Sequence, residues 1–204
     1  MRARALVMAV VLFTAVAALV AYTKLPPPPP PPPQDLPMPP WAISFGAPNA
    51  PITLIELYDL HCRYCALAHE QLDPLYRRLL AEGTLRLVFV DLIVHPDALA
   101  AHQRLHCAYR QLGGEAYDLL AELYRAYLRK GAEGQLEVLR RYECADAPTK
   151  DDFDSGAKAL LAALAQRGVP IRQVGTPTFV VVKNGTVDVV VGADAARVAL
   201  LLRR

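Results

Sequence analysis

Residues 51–65 read Pro-Ile-Thr-Leu-Ile-Glu-Leu-Tyr-Asp-Leu-His-Cys-Arg-Tyr-Cys and set the frame for the rest of the chain. The first eight are apolar and β-rich enough for a buried strand. From Cys62 to about Ala81 the pattern turns helical, with Leu67, Leu72, Leu75, Leu79 and Leu80 forming an apolar stripe. Pro74 should kink that helix and Gly83 should end it. Residues 84–94, Thr-Leu-Arg-Leu-Val-Phe-Val-Asp-Leu-Ile-Val, predict a second strand. Strand, helix and strand in this order imply a parallel pair with a right-handed crossover. Two cysteines, Cys62 and Cys65, therefore stand where a strand hands over to a helix.

Downstream the pattern changes. Residues 96–168 are helical by composition, with breaks at Gly113-Gly114, between Gly131 and Gly134, and at Pro148, which predicts about four helices. Sheet returns at 177–183, turns at Asn184-Gly185 and runs back through 186–191. Asn-Gly between β-branched runs is a strong hairpin signal. A helix from Asp194 to Leu202 closes the chain, and no internal repeat interrupts the series. The expected architecture is α/β: a βαβ half over 43–94, an all-helical insertion over 95–170, and a ββα half over 171–204.

The N-terminal region is of another kind. From Ala5 to Thr23 no residue is charged, and 19 residues of helix would reach about 28 Å, close to a hydrocarbon core of about 30 Å. Arg2 and Arg4 precede the run and Lys24 follows it, a bias that keeps the N-terminus in the cytoplasm. Residues 1–24 are expected to be a membrane anchor, with the folded part extracytoplasmic. A cleaved signal segment is the alternative, with Ala15-Val16-Ala17 as a tolerable cleavage site. Residues 25–42 form a linker. Its eight prolines, Pro26–Pro33, extend roughly 25 Å as polyproline II. Of 22 basic residues against 20 acidic ones, three flank the apolar run, so the remainder is nearly neutral and nucleic acid is not an expected partner.

Thiol–disulfide exchange needs a thiolate, and a cysteine at a helix start meets unpaired N–H groups and the positive end of the helix dipole. Cys62 sits there, and Arg63 adds a nearby cation. The Cys62 pKa should be lowered. Cys65, one turn inside, is shielded yet placed to attack a mixed disulfide on Cys62. Stabilising the thiolate stabilises the dithiol form, so the disulfide form becomes the stronger oxidant, by about 1.4 kcal/mol for each 30 mV. A permanent Cys62–Cys65 bridge is a weaker reading, as is half of a zinc site with His61 and His69, for which no second Cys-x-x-Cys exists. His61 either tunes the thiolate or faces solvent.

Cys107 and Cys144, if joined, close a loop worth roughly 4 kcal/mol in the chain-entropy model. A structural bridge is favoured over two separate buried thiols. His102 and His106 share a helix face at a spacing that can bind metal. No glutamate pattern joins them, so they are read as surface histidines. No metal and no cofactor are expected.

Several features together resemble the DsbA family of extracytoplasmic disulfide oxidoreductases, within the thioredoxin superfamily, including its membrane-anchored members. They are Gly46-Ala47-Pro48, Ala50-Pro51, Glu56, Asp59 to Cys65, His95-Pro96, Ala100-Ala101, Cys107 and Gly175-Thr176-Pro177-Thr178-Phe179. The main departure is Arg63, where the family often has proline. The resemblance implies a thioredoxin fold, a cis Pro177 against Cys62, and a Thr176 backbone that pairs with an extended substrate. Tyr64 is assigned to the same substrate surface. It implies that Glu56 helps move the proton of the buried cysteine.

Reduced secreted proteins are the implied substrates. A quinone-linked membrane protein of the DsbB or vitamin K epoxide reductase type is the implied reoxidant. A dithiol oxidase is thus expected, working as a monomer. A reductase or isomerase is the first alternative and a thiol-based metal chaperone the second.

Overall fold

The computed structural model describes residues 36–170 and 174–203. The expected membrane segment over 1–24 and the Pro26–Pro33 run lie outside them. Among the described residues no helix is long and apolar enough to cross a membrane.

Five strands, β1 (Ile43–Gly46), β2 (Ile52–Tyr58), β3 (Leu85–Asp91), β4 (Thr178–Lys183) and β5 (Thr186–Val191), make one mixed sheet in the order β1-β3-β2-β4-β5. β2 (Ile52–Tyr58) is central and lies parallel to β3 (Leu85–Asp91), with Glu56 opposite Phe89. On its other side it runs antiparallel to β4 (Thr178–Lys183), with Glu56 opposite Phe179. β5 (Thr186–Val191) pairs antiparallel with β4 and forms one edge. The turn between them carries positive φ at Asn184 (50°) and Gly185 (79°), the geometry that suits a tight hairpin.

β1 (Ile43–Gly46) forms the other edge, antiparallel to β3. The sequence reading missed it, because four residues are too few to show a period of two. Tertiary contacts hold it: the Phe45 ring meets Phe89, Tyr109 and Tyr117 edge-on at 5.3–6.1 Å.

Alternation along β2 divides the core. Ile52, Leu54 and Tyr58 pack with Leu72 and Tyr76 of α1 (Arg63–Ala81) and with the helical insertion. Ile55 and Leu57 point the other way, onto Leu160 and Leu164 of α4 (Lys150–Gln166). Glu56 shares its parity with Leu54 and Tyr58, so it faces the side of the sheet that carries the cysteines.

α1 runs on through Pro74, which lies on its exposed side. Gly83, at φ +67°, ends the helix: its N–H reaches Leu80 O and the Thr84 N–H reaches Leu79 O, satisfying two terminal carbonyls. β3 stops at Asp91, short of the expected 94, because the Val94 and His95 N–H groups turn to the Asp59 carboxylate (2.8 Å each).

The insertion holds α2 (Leu99–Leu112), α3 (Ala116–Leu139) and α4, with single 3-10 turns at Pro96–Ala98 and Gly113–Glu115. The break expected near Gly131 is a bend within α3, where Gly131 takes φ 65° and ψ −152°. Thr149 and Asp152 form a reciprocal capping box at the start of α4. α5 (Ala195–Arg203) packs against β4 and β5, with the Asp194 carboxylate accepting from the Arg197 N–H. Cys107 and Cys144 are joined in a disulfide that ties α2 to the segment after α3.

Candidate active site

Cys62 is the N-cap of α1, in extended conformation (φ −85°, ψ 112°). Its sulfur takes the place that a serine or aspartate oxygen usually fills, accepting from the Cys65 N–H at 3.4 Å. On the opposite side Cys62 Sγ lies 3.2 Å from Thr176 O. The Thr176–Pro177 peptide bond is cis, and the Gly192 N–H donates to Pro177 O at 2.8 Å. A strand end from the last third of the chain is thus brought against the first cysteine. Both thiols are free; Cys62 is 3% exposed and Cys65 is fully buried.

The environments separate the two sulfurs. Hydrogen bonding with Cys65, reinforced by Thr176 and the Tyr64 backbone, outweighs burial and holds the Cys62 pKa down at about 6. Burial, then the hydrogen bond to Cys62 and the charge of Glu56, push the Cys65 thiol far up. Cys62 is ionised at neutral pH while Cys65 keeps its proton, as an attacking and a resolving thiol require.

Glu56 is fully buried, and neither carboxyl oxygen has a hydrogen-bond partner among the described residues. Burial, with the Cys62 charge adding to it, raises its pKa well above the usual carboxylate range. The shift favours the protonated carboxyl, and the group is coupled electrostatically to both sulfurs. Tyr76 OH, Tyr124 OH and both ring nitrogens of His69 are also buried without hydrogen-bond partners among the described residues.

Arg63 and Tyr64 point outward, Tyr64 with 65% of its surface exposed. The lowering of the Cys62 pKa comes first from hydrogen bonds; the Arg63 guanidinium, expected as an added cation, is exposed to solvent. His61 does not face solvent: it is buried, stacked on Tyr127 at 5.5 Å, with Nδ1 3.0 Å from the Asp97 carboxylate.

His102 and His106 are not surface residues either. Both are buried against Asp91, because the face they share turns toward the end of β3. In the sequence Asp59 stands out only as the first residue of the stretch Asp59 to Cys65. Its carboxylate accepts from the His61, Val94 and His95 N–H groups and holds two loops together. Burial opposes its ionisation, but His102 and those N–H groups keep its pKa near 2.

No curated protein matches this sequence. Solved structures similar in fold include α-DsbA1 of Wolbachia pipientis, 17% identical over 82% of this chain and 92% of that one, with a TM-score of 0.54. A periplasmic thioredoxin-like protein from Salmonella enterica serovar Typhimurium is 15% identical over 80% and 88%, with a TM-score of 0.55. BdbD from Bacillus subtilis is 16% identical over 80% and 91%, with a TM-score of 0.52. At these identities the likeness is one of fold. The thioredoxin family model matches residues 40–196, nearly all of the described chain. With a strand-to-helix Cys-x-x-Cys facing a cis proline, this chain belongs to the thioredoxin family.

Proposed function

We propose that this protein is a DsbA-like thiol:disulfide oxidoreductase that works outside the cytoplasm as a dithiol oxidase. The placement of Cys62 Sγ carries this reading: it caps α1 at 3.4 Å from the Cys65 N–H and 3.2 Å from Thr176 O, with its pKa held near 6. A thiolate stabilised at the helix start by the Cys65 N–H makes the dithiol the favoured form and the disulfide the oxidant.

In the forward direction a substrate thiolate attacks Cys62 Sγ of the Cys62–Cys65 disulfide. The Cys65 sulfur leaves with the bonding electron pair. Its high proton affinity requires a proton as it leaves, and the protonated Glu56 carboxyl is the buried acid that can supply it. A second substrate thiolate then attacks the substrate sulfur of the mixed disulfide. Cys62 departs as a thiolate, the substrate leaves oxidised, and two electrons remain on the cysteine pair. The exposed Tyr64 and the Thr176 backbone flank the sulfur on the side where an extended substrate would lie.

Reoxidation is assigned to a quinone-linked membrane protein. The apolar run over 5–23 and the polyproline run after it support tethering beside such a partner. The Cys107–Cys144 disulfide suits an oxidising compartment. Equilibration with glutathione tests the direction of electron flow. A potential on the oxidising side of about −200 mV is expected, and one near about −270 mV would make the protein a reductase. Cys62→Ser should abolish peptide oxidation. Protease protection on intact cells checks the side of the membrane.

A further inference from the structure

A second buried polar cluster lies beside the cysteines and takes no part in the exchange steps. Asp91, at the end of β3, is buried. Its Oδ1 accepts from Tyr58 OH at 2.9 Å and pairs with His102 Nδ1 at 2.6 Å; its Oδ2 pairs with His106 Nε2 at 2.9 Å. His102 comes from α2, in the helical insertion, and is completely buried. Its other ring nitrogen, Nε2, accepts from the Leu60 backbone N–H at 3.0 Å.

Those two contacts define the tautomer. A nitrogen that accepts from an amide carries no proton, so the ring proton sits on Nδ1 and is donated to Asp91. Asp59 and Asp91 favour a second proton on the ring, against burial. Nε2 can take that proton only by giving up Leu60. Asp59 Oδ1, at 3.8 Å, is too distant to compete as a hydrogen-bond partner in this geometry.

Leu60 opens the turn that ends at Cys62. The same turn is held by Gln135 Nε2 on Leu60 O (2.8 Å), by the His61 N–H on Asp59 Oδ1 (2.8 Å) and by the Cys62 N–H on Asp59 O (3.0 Å). A carboxylate in place of His102 would also accept from Leu60. It would bring a negative charge toward the thiolate and raise the thiol pKa. A neutral imidazole satisfies the N–H without that penalty.

The geometry points to His102 as a positioning residue for the attacking thiol. Braced by Asp91, it reaches from the helical insertion to fix the Leu60–Cys62 turn, and so sets Cys62 Sγ against the Cys65 N–H and Thr176. This role presupposes Cys62 as the attacking thiol, so that property is measured first, in the wild-type protein, by its titration and alkylation rate. An ordinary thiol there overturns the functional reading itself.

Three variants then isolate His102. In His102→Leu, with the fold checked by circular dichroism, the Cys62 titration is expected to rise by about one unit, cutting the thiolate fraction below that pH about tenfold. His102→Gln, which keeps an acceptor toward Leu60, should recover at least half of that shift. Tyr58→Phe removes a donor from the same Asp91 without touching the turn, and should leave the titration in place. A folded His102→Leu protein whose Cys62 titrates as in the wild type overturns the role of His102 while leaving the functional reading standing.

If His102→Leu does not fold, nitrogen NMR of the wild-type imidazole decides. The protonated nitrogen is expected at Nδ1, with a bare Nε2 whose signal changes between the dithiol and disulfide forms. A protonated Nε2, or a signal indifferent to the cysteines, overturns the proposal.

Discussion

Two carboxylates are buried on neighbouring strands of this sheet, and their environments push their pKa values in opposite directions. Glu56, on β2, has no hydrogen-bond partner and its pKa is raised by burial. Asp91, on β3, is buried just as deeply, but His106, His102 and Tyr58 surround it and the two histidines hold its pKa well below the usual value. Burial alone therefore does not decide ionisation; the number of donors that meet the oxygens does. Glu56 is a buried acid whose raised pKa suits the proposed proton-donor role beside the sulfurs. Asp91 is a fixed anion that organises the segment leading to them.

The harshest way to break this contrast is to remove the anion and leave its partners. Asp91→Ala should strand His102, His106 and Tyr58 without their acceptor and cost about 3–5 kcal/mol in urea unfolding. A loss under about 1 kcal/mol would mean that water or another group replaces the carboxylate. Glu56→Gln attacks the other side. It removes the acid proposed to deliver the Cys65 proton, and the rate of substrate oxidation near neutrality should fall by about a hundredfold, within the range for a general acid. Unchanged kinetics would assign that proton to another group.

The same substitution sharpens the contrast through pH. Glu56 has a raised folded-state pKa, so its contribution to stability is fully present below its unfolded value, about 4.3, and is lost as pH rises toward the folded pKa. The stability difference between wild type and Glu56→Gln should therefore shift by about 1.4 kcal/mol per pH unit above that point, in favour of the variant. Using the difference cancels His69, held near 4, which titrates in the same window. Asp91 has the reverse sign. Its depressed pKa gives stability that is present above about 3.9 and lost as pH falls below it, so Asp91→Asn should flatten the acid limb. The mildest test is Tyr58→Phe, which removes one of the groups around Asp91 and should cost about 1 kcal/mol.

The two carboxylates also differ in how far the sequence exposes them. Glu56 stands out because an acid in an otherwise apolar strand is conspicuous within a window of eight residues. Asp91 sits at the end of a strand that reads as longer than it is. Its partners arrive from 11, 15 and 33 residues away, so no local window contains the cluster. His102 and His106 were visible as a spaced pair, but a helix pattern does not say which neighbour its polar face meets. β1 was missed for the related reason that its burial comes from Phe45 reaching rings on β3 and the insertion.

By itself the sequence determined what short-range chemistry dictates: a cysteine at the start of a helix, a second one turn later, an Asn-Gly hairpin, and a proline opening a strand. These follow from backbone geometry and side-chain period within a few residues. Only the tertiary structure decided which carboxylate is charged, which nitrogen of His102 accepts, and that Thr176 lies 3.2 Å from Cys62 across 114 residues of chain. Those outcomes depend on the donors and the dielectric that distant segments bring together, and they exist only once the chain has folded.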